Sequence, residues 1–195
     1  AQNLDASFVP LAGGSSRGAV LGSIGGIAAG SQNISATDSG WYSNDGTHDP
    51  NNQNYIVGLS NSGEMHDWFL FNLAGVSSTI LSARLVLENP ATGYESPDST
   101  ETLFLYDVST PIAELTNGGY GLLAIYNDLG SGALLGVQTV SAADNGRDVA
   151  IDLSAAAVFF LNAARGGNFA IGGAIVSVNG SAYQRIFGYS SGSLT

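Results

Sequence analysis

The chain has 195 residues, enough for one domain with a sizeable core, and no cysteine, which excludes disulfides, zinc–thiolate sites and thiol nucleophiles. Sixteen acidic residues stand against five arginines (Arg17, Arg84, Arg147, Arg165, Arg185) and no lysine, a net charge of −11. That balance lacks the basic footprint nucleic acid or an anionic membrane surface requires, and no apolar run reaches the roughly 18 residues of a membrane span.

Residues 1–33 differ from the rest. The run AQNLDASFVPLAGGSSRGAVLGSIGGIAAG is almost uncharged and rich in Gly and Ala, with Val9, Leu11, Val20, Leu21, Ile24 and Ile27 spread along it. Gly18, Gly22, Gly26 and Gly30 recur every fourth residue, but so many glycines oppose an isolated helix. Two readings stand: a leader lying on the domain, or an apolar arm that docks on a neighbouring subunit. The chain opens on Ala1, with Met65 its one methionine, so a processed, exported product is expected.

Residues 34–195 read as short strands separated by turn chemistry. Ile34 to Tyr42 is a predicted strand, Ser43 to Asn54 a polar loop, and Tyr55 to Leu59 a short strand. Trp68 to Leu87 (WFLFNLAGVSSTILSARLVL) reads as strand, turn, strand. Its second half alternates, with Leu81, Ala83, Leu85 and Leu87 on one face and Ser82, Arg84, Val86 and Glu88 on the other. Thr102 to Val108, Leu134 to Val140, Asp148 to Leu153, Phe169 to Val178 and Ala182 to Tyr189 complete the predicted strands. Asn145-Gly146 reads as a hairpin signal and Gly172-Gly173 as a bulge. A helical turn is expected over Leu122 to Leu129, and a helix over Ala155 to Ala164 behind the N-cap Ser154. Many strands and few helices give an all-β, two-sheet antiparallel sandwich.

Catalytic signatures are missing. The two histidines, His48 and His66, fall in neither H-E-x-x-H nor a G-x-S-x-G context, and His66-Asp67 reads as a polar pair entering a strand. Glu95, Asp98 and Glu101 read as solvated loop charges rather than a glycosidase pair, although sixteen acids keep a divergent hydrolase as a third reading. Asp38, Asp45 and Asp49 offer hard oxygens around one loop, a calcium reading set against simple Asx turns. Tyr94, in PATGYESPD, is the aromatic expected to be most exposed and so the candidate glycan contact.

Three segments together carry a family likeness: DSGWYSNDGTHDPNNQNYIVG followed by WFLFNLAGVSSTILSARLVL, then LFLYDVSTPIAEL, then VAIDLSAAAVFFLNAARGGNFAIGG. Over roughly Ile34 to Tyr189 the chain resembles the exported bacterial jelly-roll modules called DNRLRE or disaggregatase-related domains. It is more similar still to uncharacterised exported bacterial proteins that often carry a PEP-CTERM sorting tail. The resemblance implies a two-sheet jelly roll, export, and association with extracellular polysaccharide or matrix. It departs in two places: no such tail is present, and the last apolar strand of that group is not found after Phe187-Gly-Tyr-Ser190. A sandwich short of a strand exposes an edge, which the apolar arm of another subunit would complete. The expectation is a secreted, non-enzymatic subunit of a filament, surface layer or matrix, a homo-oligomer or polymer. The alternative is a carbohydrate-binding module for extracellular polysaccharide.

Overall fold

Strand β4 (Gly63–Asn72) sits at the centre because both of its faces are apolar. Phe69 and Phe71 point into the core between the sheets, while Trp68 and Leu70 point out of the opposite face and are buried there too. A strand covered on both sides reads as a near-continuous apolar run, as Trp68 to Phe71 (WFLF) does. The computed structural model describes residues 3–9, 30–180 and 183–188.

The chain is an all-β antiparallel sandwich of two sheets. In one sheet β4 pairs with β2 (Gly30–Ser43) on one side and β9 (Asn168–Ile175) on the other. Beyond β9 come β6 (Glu101–Asp107) and then β7 (Leu134–Val140). The short β3 (Val57–Ser60) joins the start of β4 to β10 (Gln184–Ile186). In the other sheet β1 (Asn3–Val9) lies between β2 and β5 (Thr79–Asn89), with β8 (Arg147–Asp152) beyond β5. Strand β2 serves both sheets. Its first residues pair with β1 and its later ones with β4, and the register breaks between Ala36 and Asp38, where an extra residue bends the strand.

Among the described residues three α-helices fill connections. Helices α1 (Ile112–Asn117) and α2 (Leu123–Leu129) form a cap on the outer face of β4, burying Leu115, Ile125 and Leu129 against Tyr42 and Trp68. Helix α3 (Ala155–Ala163) sends Ala157 and Leu161 into the inter-sheet core. Ser154 caps it as expected, its hydroxyl accepting from the Ala157 amide at 3.2 Å.

Several expectations change. Strands β4 and β5 do not form a hairpin; they belong to opposite sheets and face each other across the core. Leu81 is not inside: the register shifts opposite Ser7 and Phe8, Ile80 takes the buried place, and Leu81 is left 54% exposed. Asn145-Gly146 likewise joins strands of different sheets, with a short 3-10 turn at Ala142–Asp144 before it. Gly172 and Gly173 keep regular register instead of bulging. They are small because other groups need the space: a Cβ on Gly172 would meet the Leu129 carbonyl oxygen at 2.7 Å, and one on Gly173 the Asp67 carboxylate at 2.2 Å. The last predicted strand is limited to β10, with Ala182 and Tyr189 outside the described residues. Helix α1 was not anticipated; at six residues it has too short a periodic pattern to read.

Candidate functional site

The loop acids do not converge on a metal. Asp38 accepts from the Ser39 amide at 2.9 Å and from Gln53 at 3.2 Å, and Asp49 from the Asn51 amide at 2.9 Å. The Asp45 carboxyl accepts from the Ser43 hydroxyl at 2.5 Å and the Thr47 amide at 3.0 Å, bonds that hold it below the usual carboxylate range. These are local turn-stabilising contacts of the Asx type. Among the described residues no group of three or more His, Cys, Asp or Glu is placed to hold a metal ion. Asp38, Asp45 and Asp49, the acids of the calcium reading, thus bond groups of their own loop and are not gathered into such a cluster.

The expectation for Tyr94 is corrected. It is only 9% exposed, and its hydroxyl donates to the Asp98 carbonyl at 2.6 Å, so its ring faces the core. Nor are its neighbours free loop charges. Glu101 is fully buried, accepting from Ser96 at 2.6 Å, from Gln184 at 3.3 Å and from the Ser177 hydroxyl. Asp98 accepts from Asn179 at 3.0 Å and Gln184 at 2.8 Å, and Glu95 pairs with Arg185. Donors from the far end of the chain thus tie β10 to the loop before β6. The sequence gives no sign of this, because the partners lie more than 75 residues apart.

The two histidines are structural anchors of the cap. His66 lies within β4, not in a loop, and stacks on Tyr126 with ring centroids 4.0 Å apart and planes 6° apart. Its Nδ1 is 2.7 Å from the Tyr126 carbonyl oxygen, and its Nε2 is 3.9 Å from Glu64. The His48 ring is set between Tyr42, at 4.7 Å, and Trp68, at 5.7 Å. Its backbone exchanges two hydrogen bonds with Gly119 at 2.9 Å each. Burial pushes the pKa of both imidazoles down, against smaller opposing effects of nearby carbonyls and carboxylates. Both are therefore neutral at pH 7.

One buried charge bearer has no such partners. Asp67 is fully buried on the inner face of β4, beside Gly173, and neither carboxyl oxygen has a hydrogen-bond partner among the described residues. Burial raises its pKa well above the usual carboxylate value, so the site favours the neutral acid. An acid in the middle of an apolar strand run is the signal that marks it.

The most unusual feature is the place of β1. Asn3–Val9 is bonded on both edges, from Asn3 opposite Ser35 to Phe8 opposite Gly30 on β2, and from Asn3 opposite Val86 to Val9 opposite Thr79 on β5. Its alternating apolar positions fall at core registers. Leu4 is opposite Ile34 and Leu85, Ala6 opposite Ala83, and Phe8 opposite Ile80, and these four partners are buried. Twenty residues, 10–29, separate β1 from the strand it pairs with. Of the expected arm residues, Val9 ends β1, while Leu11, Val20, Leu21, Ile24 and Ile27 lie outside the described residues. No family model matches the chain, and no curated protein is significantly similar to it.

Proposed function

We propose that this is a secreted, non-enzymatic structural protein whose subunits join outside the cell by passing β1 from one chain into the sheet of the next. The observation that carries this is the position of β1, central in its sheet yet joined to β2 by residues 10–29. Hairpin strands are usually joined by about 2–5 residues. Twenty extended residues reach at most ~70 Å, far enough to cross into a neighbour. Exchange of an identical element costs little, because the contacts made in the partner are those given up at home. A lysine-free, cysteine-free chain with 11% charged residues and a likeness to exported modules agrees with an extracellular setting.

Light scattering and negative-stain microscopy on refolded full-length chain test the reading. Ordered, dilution-resistant oligomers are expected, and they are lost when Asn3–Val9 is deleted and a synthetic peptide of residues 1–9 is added in excess. A refolded full-length chain that is monomeric at every concentration sinks it.

A carbohydrate-binding module is the second reading, supported by aromatics on the surface. Tyr120 is 87% exposed, and Phe104 and Tyr106, half-buried on the outer face of β6, have ring centroids 6.2 Å apart beside the exposed Val137. Flat rings next to polar groups suit pyranose faces. Affinity electrophoresis through polysaccharide gels should show retardation that Tyr106→Ala and Tyr120→Ala abolish; equal mobility in all gels removes this reading.

A further inference from the structure

Helix α3 has an outer face that no described part of the chain covers. Ala155, Ala156, Phe159 and Ala163 are exposed, Phe159 by 69%, and at 3.6 residues per turn they share an arc of about 100°. Phe160 beside them is half-buried and meets Phe159 edge-on at 5.7 Å. Nothing between Ala155 and Ala163 is charged, and the opposite side already sends Ala157 and Leu161 into the core. A surface helix ordinarily carries charged or polar residues toward water, and one that is apolar all round is normally buried. Leu81, turned outward by the β5 bulge, adds a further exposed apolar side chain near the end of α3, where Asn162 bonds both the amide (3.0 Å) and the carbonyl (2.8 Å) of Ile80.

We propose that this face docks a second copy of the chain, α3 against α3 across a two-fold axis close to Phe159. The shape is self-complementary. One large ring is flanked by alanines three and four residues before it and four after, so in an antiparallel pair each ring drops into the partner's alanine gap. Charge points to the same occupant. Two subunits of net charge −11 repel across most of their surfaces, and the neutral face of α3 lets them approach without opposing carboxylates. A basic partner would find no acid there to pair with. The nearest following charge, Arg165, is turned to the carbonyls of Asn162 (3.2 Å) and Ser77 (3.0 Å), on the other side from this arc. The contact is separate from β1 and does not rest on strand exchange. Where both operate, it joins exchanged subunits side by side.

Sedimentation velocity over a concentration series of the full-length chain tests it. A rapidly reversible association is expected, weakened about tenfold or more by Phe159→Asp and by Ala163→Glu, and kept by Phe159→Leu. Thermal melts of all three should stay close to the parent, because the substituted side chains are exposed. Strand-exchanged species are told apart by surviving dilution and by being lost on removal of Asn3–Val9, not on Phe159→Asp. Association unchanged in Phe159→Asp and Ala163→Glu overturns the proposal, as does its absence in the parent. A third overturning result comes from trypsin, which has only five arginines to cut. If the parent does not associate and Phe159→Asp speeds cleavage at Arg17, the face is occupied by residues 10–29 of the same chain.

Discussion

Strands β4 and β1 are both central, each bonded on its two edges, yet they are joined to their neighbours by connections of very different length. Strand β4 is fixed by side chains, with Phe69 and Phe71 on one face and Trp68 and Leu70 on the other, all at most 7% exposed. Its neighbour β3 ends at Ser60, leaving a two-residue turn before Gly63. Strand β1 has a continuous ladder on both edges, and residues 10–29 separate it from β2. The short turn after Ser60 keeps β4 beside β3 of its own chain. Under the strand-exchange proposal, β1 is the strand that another copy with the same seven residues would supply.

The sharpest way to break this comparison is Ala6→Pro. Ala6 is paired with Gln32 on β2 and Ala83 on β5, and proline in a central strand removes a ladder donor and forces the neighbours apart. A loss on the order of 3 kcal/mol is expected in urea titration. On the strand-exchange proposal, added peptide of residues 1–9 with the natural sequence should recover most of it. An unchanged midpoint would show that the two-sheet fold does not depend on β1.

Gly172→Ala attacks the β4 side instead and should cost less. The new methyl would lie 2.7 Å from the Leu129 carbonyl oxygen and 2.8 Å from its Cα, so α2 must lift from β9. Crowding of this kind typically costs about 1–3 kcal/mol. Trp68 lies under the cap, so its fluorescence should change and amides of residues 112–129 should exchange faster, while β1 keeps its protection. Equal loosening of β1 would mean the two regions are one cooperative unit.

What could be read in advance follows the same division. Leu134–Val140 and the Ser154-capped helix α3 were legible to within a residue because alternation, capping and alanine content act locally. Sheet membership was not. The turn after Asn72 looks like a hairpin, but Phe71 and Leu85 belong to opposite walls of one core, and alternation is the same in either arrangement. Leu81 was misplaced because a bulge reverses faces without any glycine to mark it. The burial of Glu101 and the ties of the still exposed Asp98 were missed because Gln184, Asn179 and Ser177, which donate to these carboxylates, arrive from the far end of the chain.

A smaller effect separates the inner face of β4 from its outer face. Burial raises the Asp67 pKa in the folded state above its value in the unfolded chain. The folded protein therefore holds the proton over a pH range where the unfolded chain has released it, and stability falls as pH rises through that range. Asp67→Asn removes the titration and keeps the shape. The variant should be more stable than the parent at pH 7, by about 1 kcal/mol or more, and lose that advantage below about pH 4. A constant difference across the whole range would place the carboxyl in a better solvated setting than the inner face of β4 provides.

The smallest predicted effect has the opposite sign and belongs to the outer face. Burial under the cap lowers the pKa of His48 and His66, the first opposed by the Trp41 carbonyl, Asp38 and Asp49, the second by the Tyr126 carbonyl and Glu64. Lowered folded values mean the unfolded or uncapped state binds protons first, so cap stability is present above the ordinary imidazole pKa and drains away as pH falls below it. Amide exchange of residues 112–129 should therefore accelerate between pH 7 and pH 5, after correction for intrinsic rates, with β5 and β8 unaffected. His48→Phe keeps a ring between Tyr42 and Trp68 and removes one titration, and should reduce the acceleration. Because Asp67 strengthens the sandwich over part of the same acid range, global melts will understate the change. Exchange local to the cap is the measurement that isolates it, and a cap equally protected at both pH values would mean that the histidines gain partners on protonation that offset their burial.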